Sequence, residues 1–450
     1  MSKEKKNFRL PPGPTKKLLG FENLVQIRRN TINFLQKNIK KYGHVFTFEI
    51  GKNRLFYIQD PEIIKEILVT HNNNFIKGRV LEAAKEILGE GLLTNNDHQS
   101  HLRQRRMIQP AFHHKRITYY SQIMIDYTYD FFEKWKNNET LIINEEMMQL
   151  TLKIVCKALF EAEMKYDIKK IEEALSIFLE RAIDVNNPLA YLTKNFPTRK
   201  NRKFFDAKKY LDQTIDQMVE DRKDDAIDRN DLLSMMIIAR DEGHKMNTTQ
   251  IRDETMTLFL AGHETTANAI TWTLYLLSLN PEKEEKMYNE IKTVLGNRKA
   301  TPEDLVNLVY TRKVLAESMR LYPPAWIIAR RALEDLELKD YTIPAKSICL
   351  MSQYLMHKDN RFYEDSESFI PERWTEEFKE KLPKFAYFPF GGGARVCIGE
   401  QFAWSEGILL LSILLQKWKF NLIPDQKIEL HQLITLRPKN GIKMEIEERK

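Results

Sequence analysis

The rhythm of apolar and polar positions changes several times along the chain. Val45 to Ile50 sets Phe46, Phe48 and Ile50 against Thr47 and Glu49, a period of two that predicts a strand with one buried face. Gly51-Lys52-Asn53 then leads into Leu55 to Ile58, which completes a hairpin. From Pro61 to about Lys223 the apolar positions return at helical spacing. Breaks fall near Asn72-Asn73-Asn74, from Gly89 to Asn96, at Asn137-Asn138, and from Asn186-Asn187-Pro188 to Pro197. Asn247, Thr248 and Thr249 are capping residues ahead of a helix predicted from about Gln250 to Asn280, where Pro281 closes it. At 1.5 Å per residue that helix is roughly 45 Å long, enough to cross a domain. Short strands are predicted between Leu336 and Tyr354 around Pro344, and again between Lys427 and Glu447 with a turn at Asn440-Gly441. The pattern is mainly α with small β-sheets, an α+β fold class. No repeat and no stretch rich in Gly, Ser or Pro divides it, so residues 1–450 are expected to form a single domain.

Charge excludes some functions. The 70 basic and 63 acidic residues are spread along the whole chain, and the net charge of +7 is small against what nucleic-acid binding requires. A denser basic cluster, Arg199, Lys200, Arg202, Lys203, Lys208 and Lys209, reads as a solvated helix start, with a membrane-surface or carboxylate-attracting role as the alternative. Three cysteines, Cys156, Cys349 and Cys397, cannot close a disulfide framework, and a reducing compartment fits them best. No apolar run has signal or anchor length, because Ser412 interrupts the strongest one, Ile408 to Leu415. A cytoplasmic protein without an integral membrane anchor is therefore expected.

Cys397 stands apart from the other two cysteines. It lies in Phe390-Gly391-Gly392-Gly393-Ala394-Arg395-Val396-Cys397-Ile398-Gly399, and a helix is predicted to begin just after it, with Phe402, Ala403, Gly407, Leu410 and Leu411 on its apolar stripe. The positive helix end and Arg395 favour the thiolate, the form that ligates metals. An inert buried cysteine is the plain alternative. Zinc or an iron–sulfur cluster would need more cysteines than this segment offers.

Ala261-Gly262-His263-Glu264-Thr265-Thr266 lies midway along the long helix. Gly262 costs about 1 kcal/mol there relative to Ala, so it needs a reason. Small residues at 261 and 262 leave room for a ligand, whereas Thr265 and Thr266 on their own merely bond back to carbonyls one turn earlier. Glu317 and Arg320 lie three apart on one helix face, usually the sign of a solvated pair, yet Val314, Leu315, Met319 and Leu321 around them are apolar. His101 and Arg105 share a helix face four residues apart. A metal site built from His98, His101, His113 and His114 is opposed by the nearby Arg103, Arg105 and Arg106.

Phe390-x-x-Gly-x-Arg-x-Cys-x-Gly resembles the haem-binding loop of the cytochrome P-450 superfamily, and matching motifs follow in family order from His101 to Leu436. The type resembled is the unanchored prokaryotic one. Pro11-Pro12-Gly13-Pro14 resembles the hinge that follows the anchor of microsomal relatives, but only ten residues precede it. The resemblance implies haem b held between the long helix and the cysteine loop, with Cys397 as axial iron ligand. It implies that Phe390 packs beside the haem, that Arg395, His101, Arg105 and Arg330 bind its propionates, and that Ala261 and Gly262 line its site. Arg331 is the alternative to Arg330 if the register slips. Glu264 and Thr265 match the acid and alcohol that deliver protons to dioxygen, and Glu317, Arg320 and Arg373 match a structural Glu-Arg-Arg network. Trp374 stands where many relatives carry phenylalanine.

By the same analogy Leu258, Ala261, Ala325, Trp326, Ile327 and Leu436 line a substrate pocket, although each also suits an ordinary core. The implied activity is insertion of one oxygen atom of O2 into an apolar molecule of fatty acid, terpenoid or steroid type. NAD(P)H-derived electrons would come through a separate ferredoxin or flavodoxin and its reductase, docking near Lys379, Lys381 and Lys384, and the protein is expected to be a monomer. A haem-thiolate isomerase, dehydratase or peroxygenase is the first rival, since it would not need Glu264-Thr265. A haem sensor or electron carrier is the second.

Overall fold

In a computed structural model, the structure describes residues 8–15, 20–161, 168–183, 196–222, 227–338 and 340–449. The break expected at Asn186-Asn187-Pro188 lies outside them. The chain is distributed over two compact units, Met1–Glu82 with Ala325–Ser368 and Glu376–Cys397, and Ala83–Pro324 with Phe369–Thr375 and Ile398–Lys450. Neither unit is a continuous segment, which is why no linker stands out in the sequence.

The first unit is built on a five-stranded sheet. The predicted hairpin forms its edge, with Val45–Ile50 antiparallel to Asn53–Ile58. Ile348–Met351 lies parallel to Asn53–Ile58, then Ile328–Ala332 and Phe75–Lys77 follow, each antiparallel to its neighbour. The period-two face is buried as its pattern requires, since Phe46 and Phe48 are in the core and the Phe34 ring meets Phe48 edge-on at 5.2 Å. Phe56, Ile58, Ile64, Leu68, Cys349 and Phe385 belong to one apolar cluster in this unit. Strand Phe75–Lys77 is only three residues long, too short to register as an alternation.

The second unit is helical around Thr248–Leu279. Its 32 residues span about 48 Å. The amino-terminal end carries a capping box, in which the Asn247 side chain accepts from Gln250 N at 2.9 Å and the Gln250 side chain accepts from Asn247 N at 3.0 Å. Helices Ile143–Phe160, Val309–Leu321, Glu400–Lys417 and Arg199–Glu220 pack around it. Burial from several sides explains why its sequence lacks a single polar stripe. Small sheets in this unit include one of Trp418–Leu422, Lys443–Glu448 and Thr140–Ile142, the hairpin Leu430–Gln432 and Leu436–Pro438, and the short pair Arg240–Asp241 and His244–Lys245. No helix among the described residues is long and apolar enough to cross a membrane.

Candidate active site

In the first unit the segment before Cys397 folds into a tight turn that only glycine permits. Gly391 and Gly393 have φ of 76° and 68°, and a Cβ on Gly393 would stand 1.8 Å from the carbonyl oxygen of Leu68. The turn is closed by Val396 N donating to Gly393 O at 3.1 Å and by Cys397 N donating to Phe390 O at 3.0 Å. Helix Glu400–Lys417 starts three residues beyond the cysteine, as its stripe predicts. Cys397 is exposed, whereas Cys349 is buried and Cys156 partly so. Burial pushes the Cys156 thiol up to about 12 and the Cys349 thiol higher still, so neither is a ready thiolate. Presentation separates Cys397 from the inert alternative.

Three cations converge in the same unit. Lys77, Arg330 and Arg395 line a small cavity together with Ile67, Leu68, Asn72, Phe75 and Ile76. Lys77 is buried, and burial together with Arg330 and Arg395 holds its ammonium well below the usual lysine range. Burial and Arg395 also lower the Arg330 guanidinium to about 10. Arg331 points elsewhere and pairs with Glu82, so of the two neighbouring arginines it is Arg330 that belongs to this cluster. Lys77 has no signal in the sequence beyond being a cation that ends a short apolar stretch.

In the second unit the face of the long helix at Ala261 is open. Ala261 is exposed and Gly262 and Thr265 are half-buried, in contrast to the fully buried residues on either side. Gly262 has a packing reason as well, because a Cβ there would stand 3.0 Å from Val155 on helix Ile143–Phe160. The Thr265 hydroxyl donates to Ala261 O at 2.8 Å, the local bond expected of a mid-helix threonine. His263 turns inward, with its Nδ1 2.9 Å from Phe259 O, and burial lowers its pKa.

Glu264 is buried but not alone. Arg437 donates to its Oε1 from Nη2 at 2.6 Å and from Nε at 2.7 Å, and the Thr435 hydroxyl donates to the same oxygen. Neither Arg437 nor Thr435 was singled out from the sequence, because 171 and more residues separate them from Glu264.

Glu317 and Arg320 are both fully buried, and their bidentate pairing has both contacts at 2.9 Å. Arg373 Nε, Ile370 N and Trp374 Nε1 each add a further donor at 2.9 Å, so this buried carboxylate is fully satisfied. Trp374 therefore contributes an N–H that phenylalanine cannot. His101 is buried and Arg105 half-buried on helix His98–Ile108. Leu258, Trp326 and Leu436 are buried, and Ala325 and Ile327 are half-buried. Among the described residues no three His, Cys, Asp or Glu side chains converge as a metal site, and the four-histidine alternative finds no support.

The sequence profile described as Cytochrome P450 matches residues 11–446. The chain belongs to the cytochrome P-450 family. Cyclooctatin synthase of Streptomyces melanosporofaciens is 37% identical over 408 residues, covering 89% of this chain and 88% of the relative. Cyclooctat-9-en-7-ol 5-monooxygenase of the same organism is 31% identical over 88% of this chain and 86% of its own length. Pentalenene oxygenase of Streptomyces avermitilis is 30% identical over 91% of each chain. The protein is thus a cytochrome P-450 monooxygenase of the mainly α fold, and the family implies a haem iron cofactor. The residues present suit that group. A single exposed cysteine in a glycine turn is the donor such an iron takes, and three crowded cations answer its carboxylates.

Proposed function

We propose that this cytochrome P-450 hydroxylates a terpenoid according to R–H + O2 + 2e⁻ + 2H⁺ → R–OH + H2O. The single observation that carries the reading is Cys397, exposed at the end of a turn built from Gly391 and Gly393. The names of the relatives supply the substrate class. Haem, when bound, supplies the activation of dioxygen. Cys397 is its thiolate ligand, with Phe390 packed beside it. Arg330 and Arg395 hold the carboxylates, Lys77 joins them, and His101 and Arg105 are further donors. Ala261 and Gly262 keep the helix face low enough for a flat ligand. The residues assigned to the substrate, Leu258 and Leu436 in one unit and Ala325, Trp326 and Ile327 in the other, are apolar and favour a hydrocarbon-like substrate.

Thr265 and Glu264 move protons. The Thr265 hydroxyl lies on the open face and needs only to release Ala261 O to relay one, while Glu264, bonded to Arg437, supplies the acid of the pair. A peroxygenase or isomerase would have no use for this pair. Electrons arrive from a ferredoxin or flavodoxin with its NAD(P)H-dependent reductase, in the cytoplasm. Lys379 and Lys381 are paired with Glu376 and Glu377, so their steering of an acidic donor is weaker than the bare charges suggest.

The test is reconstitution with such a donor and a set of terpene hydrocarbons and alcohols, measuring the substrate-induced spin shift and the hydroxylated product per nicotinamide. Hydroxylation in wild type and its diversion to peroxide in Thr265→Ala are expected. Equal coupling in wild type, Thr265→Ala and Glu264→Gln would bring the peroxygenase reading forward.

A further inference from the structure

We propose that Arg437, assisted by Thr435, is a positioning residue for the acid Glu264, so that the carboxy-terminal hairpin governs proton delivery in the reaction. The inference deepens the proposed monooxygenase function and rests on it. Its starting point is a stripe on the long helix. Glu264, Asn268 and Trp272 lie at successive i, i+4 positions and so share one face.

All three bond to the same hairpin. Glu264 accepts from Arg437 and Thr435, Asn268 Nδ2 donates to Thr435 Oγ1 at 3.4 Å, and Trp272 Nε1 donates to Leu436 O at 2.9 Å. The lower two contacts are fixed by burial, since Trp272 is fully buried and stacks on Tyr322 at 4.3 Å. They hold the hairpin in register and bring residues 435 and 437 to the level of Glu264.

The acid has little freedom without that partner. Its side chain is 2% exposed, and a buried carboxylate must be paired or protonated. Arg437, 17% exposed, reaches it from the solvent side. Docked on Arg437 and Thr435, the carboxylate is held in one orientation by charge-assisted hydrogen bonds. Leu436, between the two positioning residues, is one of the residues assigned to the substrate wall. A substrate pressing on this strand therefore acts on the same backbone that holds the acid.

The experiment compares Arg437→Ala, Arg437→Lys, Thr435→Val and Glu264→Gln, with the double variant Arg437→Ala/Glu264→Gln, all as haem-loaded protein with one redox partner. The readouts are product per nicotinamide, the solvent hydrogen isotope effect on turnover, the spin-shift titration and the melting temperature. Arg437→Ala is expected to lower coupled product formation roughly tenfold or more, at the scale of a general acid–base contribution, with the isotope effect raised and the spin-shift affinity within about twofold of wild type. Arg437→Lys should recover part of the loss, Thr435→Val should show a smaller one, and the double variant should be no worse than Glu264→Gln alone. Coupling that falls in Glu264→Gln but stays intact in both Arg437→Ala and Thr435→Val would overturn the role of the hairpin and leave the acid in place. Additive losses in the double variant, tracking melting temperature with an unchanged isotope effect, would reduce Arg437 to a structural bridge. Unchanged coupling in Glu264→Gln would remove the proposed acid itself, and Arg437 with it.

Discussion

Lys77 stands directly opposite Arg330 in the antiparallel ladder between Phe75–Lys77 and Ile328–Ala332. Like charges opposite one another on neighbouring strands are destabilising, and here both are buried, with Arg395 facing the same cavity. A pair of haem carboxylates would offset that repulsion.

The first expectation follows from that repulsion. Lys77→Met removes one buried cation, so the haem-free protein should gain stability, by about 1–3 kcal/mol, while the haem-loaded protein loses its cofactor faster to a haem scavenger. Thermal melts of both forms and the transfer rate check it. A slower transfer in Lys77→Met would contradict the anion-binding role.

Cys397→Ser should abolish the long-wavelength band of the carbon monoxide complex, the mark of thiolate ligation, whereas Cys156→Ser should keep it. The half-buried Cys156 lies on a helix and Cys349 in a strand of the sheet, with no glycine turn to present either sulfur. Spectra of the reduced variants under carbon monoxide decide between them.

Stability should fall as pH rises from about 5 to about 8. Burial raises Glu254 and Glu406 from the ordinary 4.5 to about 8, with the Leu92 N–H at 2.9 Å offsetting part of the effect at Glu254. In that window the folded chain holds protons that the unfolded chain has released, so each group costs on the order of 1 kcal/mol per pH unit. Glu254→Gln and Glu406→Gln should flatten the slope of denaturation midpoint against pH, most visibly at about pH 6, midway between the unfolded and folded pKa values. An unchanged slope in both variants would show that these acids titrate normally.

Trp374→Phe deletes one of the donors to Glu317 while keeping most of the ring volume. Leaving a buried carboxylate oxygen one bond short should cost about 1–3 kcal/mol in urea unfolding, and Arg320→Ala more, about 3–5 kcal/mol. A neutral Trp374→Phe would mean that the remaining donors satisfy Glu317 by themselves.

Local chemistry was legible in the sequence where neighbours along the chain carry it. The alternation at Phe46 and Phe48, the caps at Asn247 and Gln250, the glycine frame of Cys397 and the i, i+3 spacing of Glu317 and Arg320 each involve residues less than about ten positions apart, so short-range geometry determines them. The short strand Phe75–Lys77 was not legible, because three residues carry no measurable period and its partner lies some 250 positions later. Only the tertiary structure decided which arginine of Arg330 and Arg331 faces the cavity, since strand register turns successive side chains to opposite faces. It also decided that Lys77 is buried against like charge, that Trp374 bonds Glu317, and that Glu264 is gripped by Thr435 and Arg437. Those contacts join segments far apart in the chain, and a sequence lists its residues without saying which distant ones the core will press together.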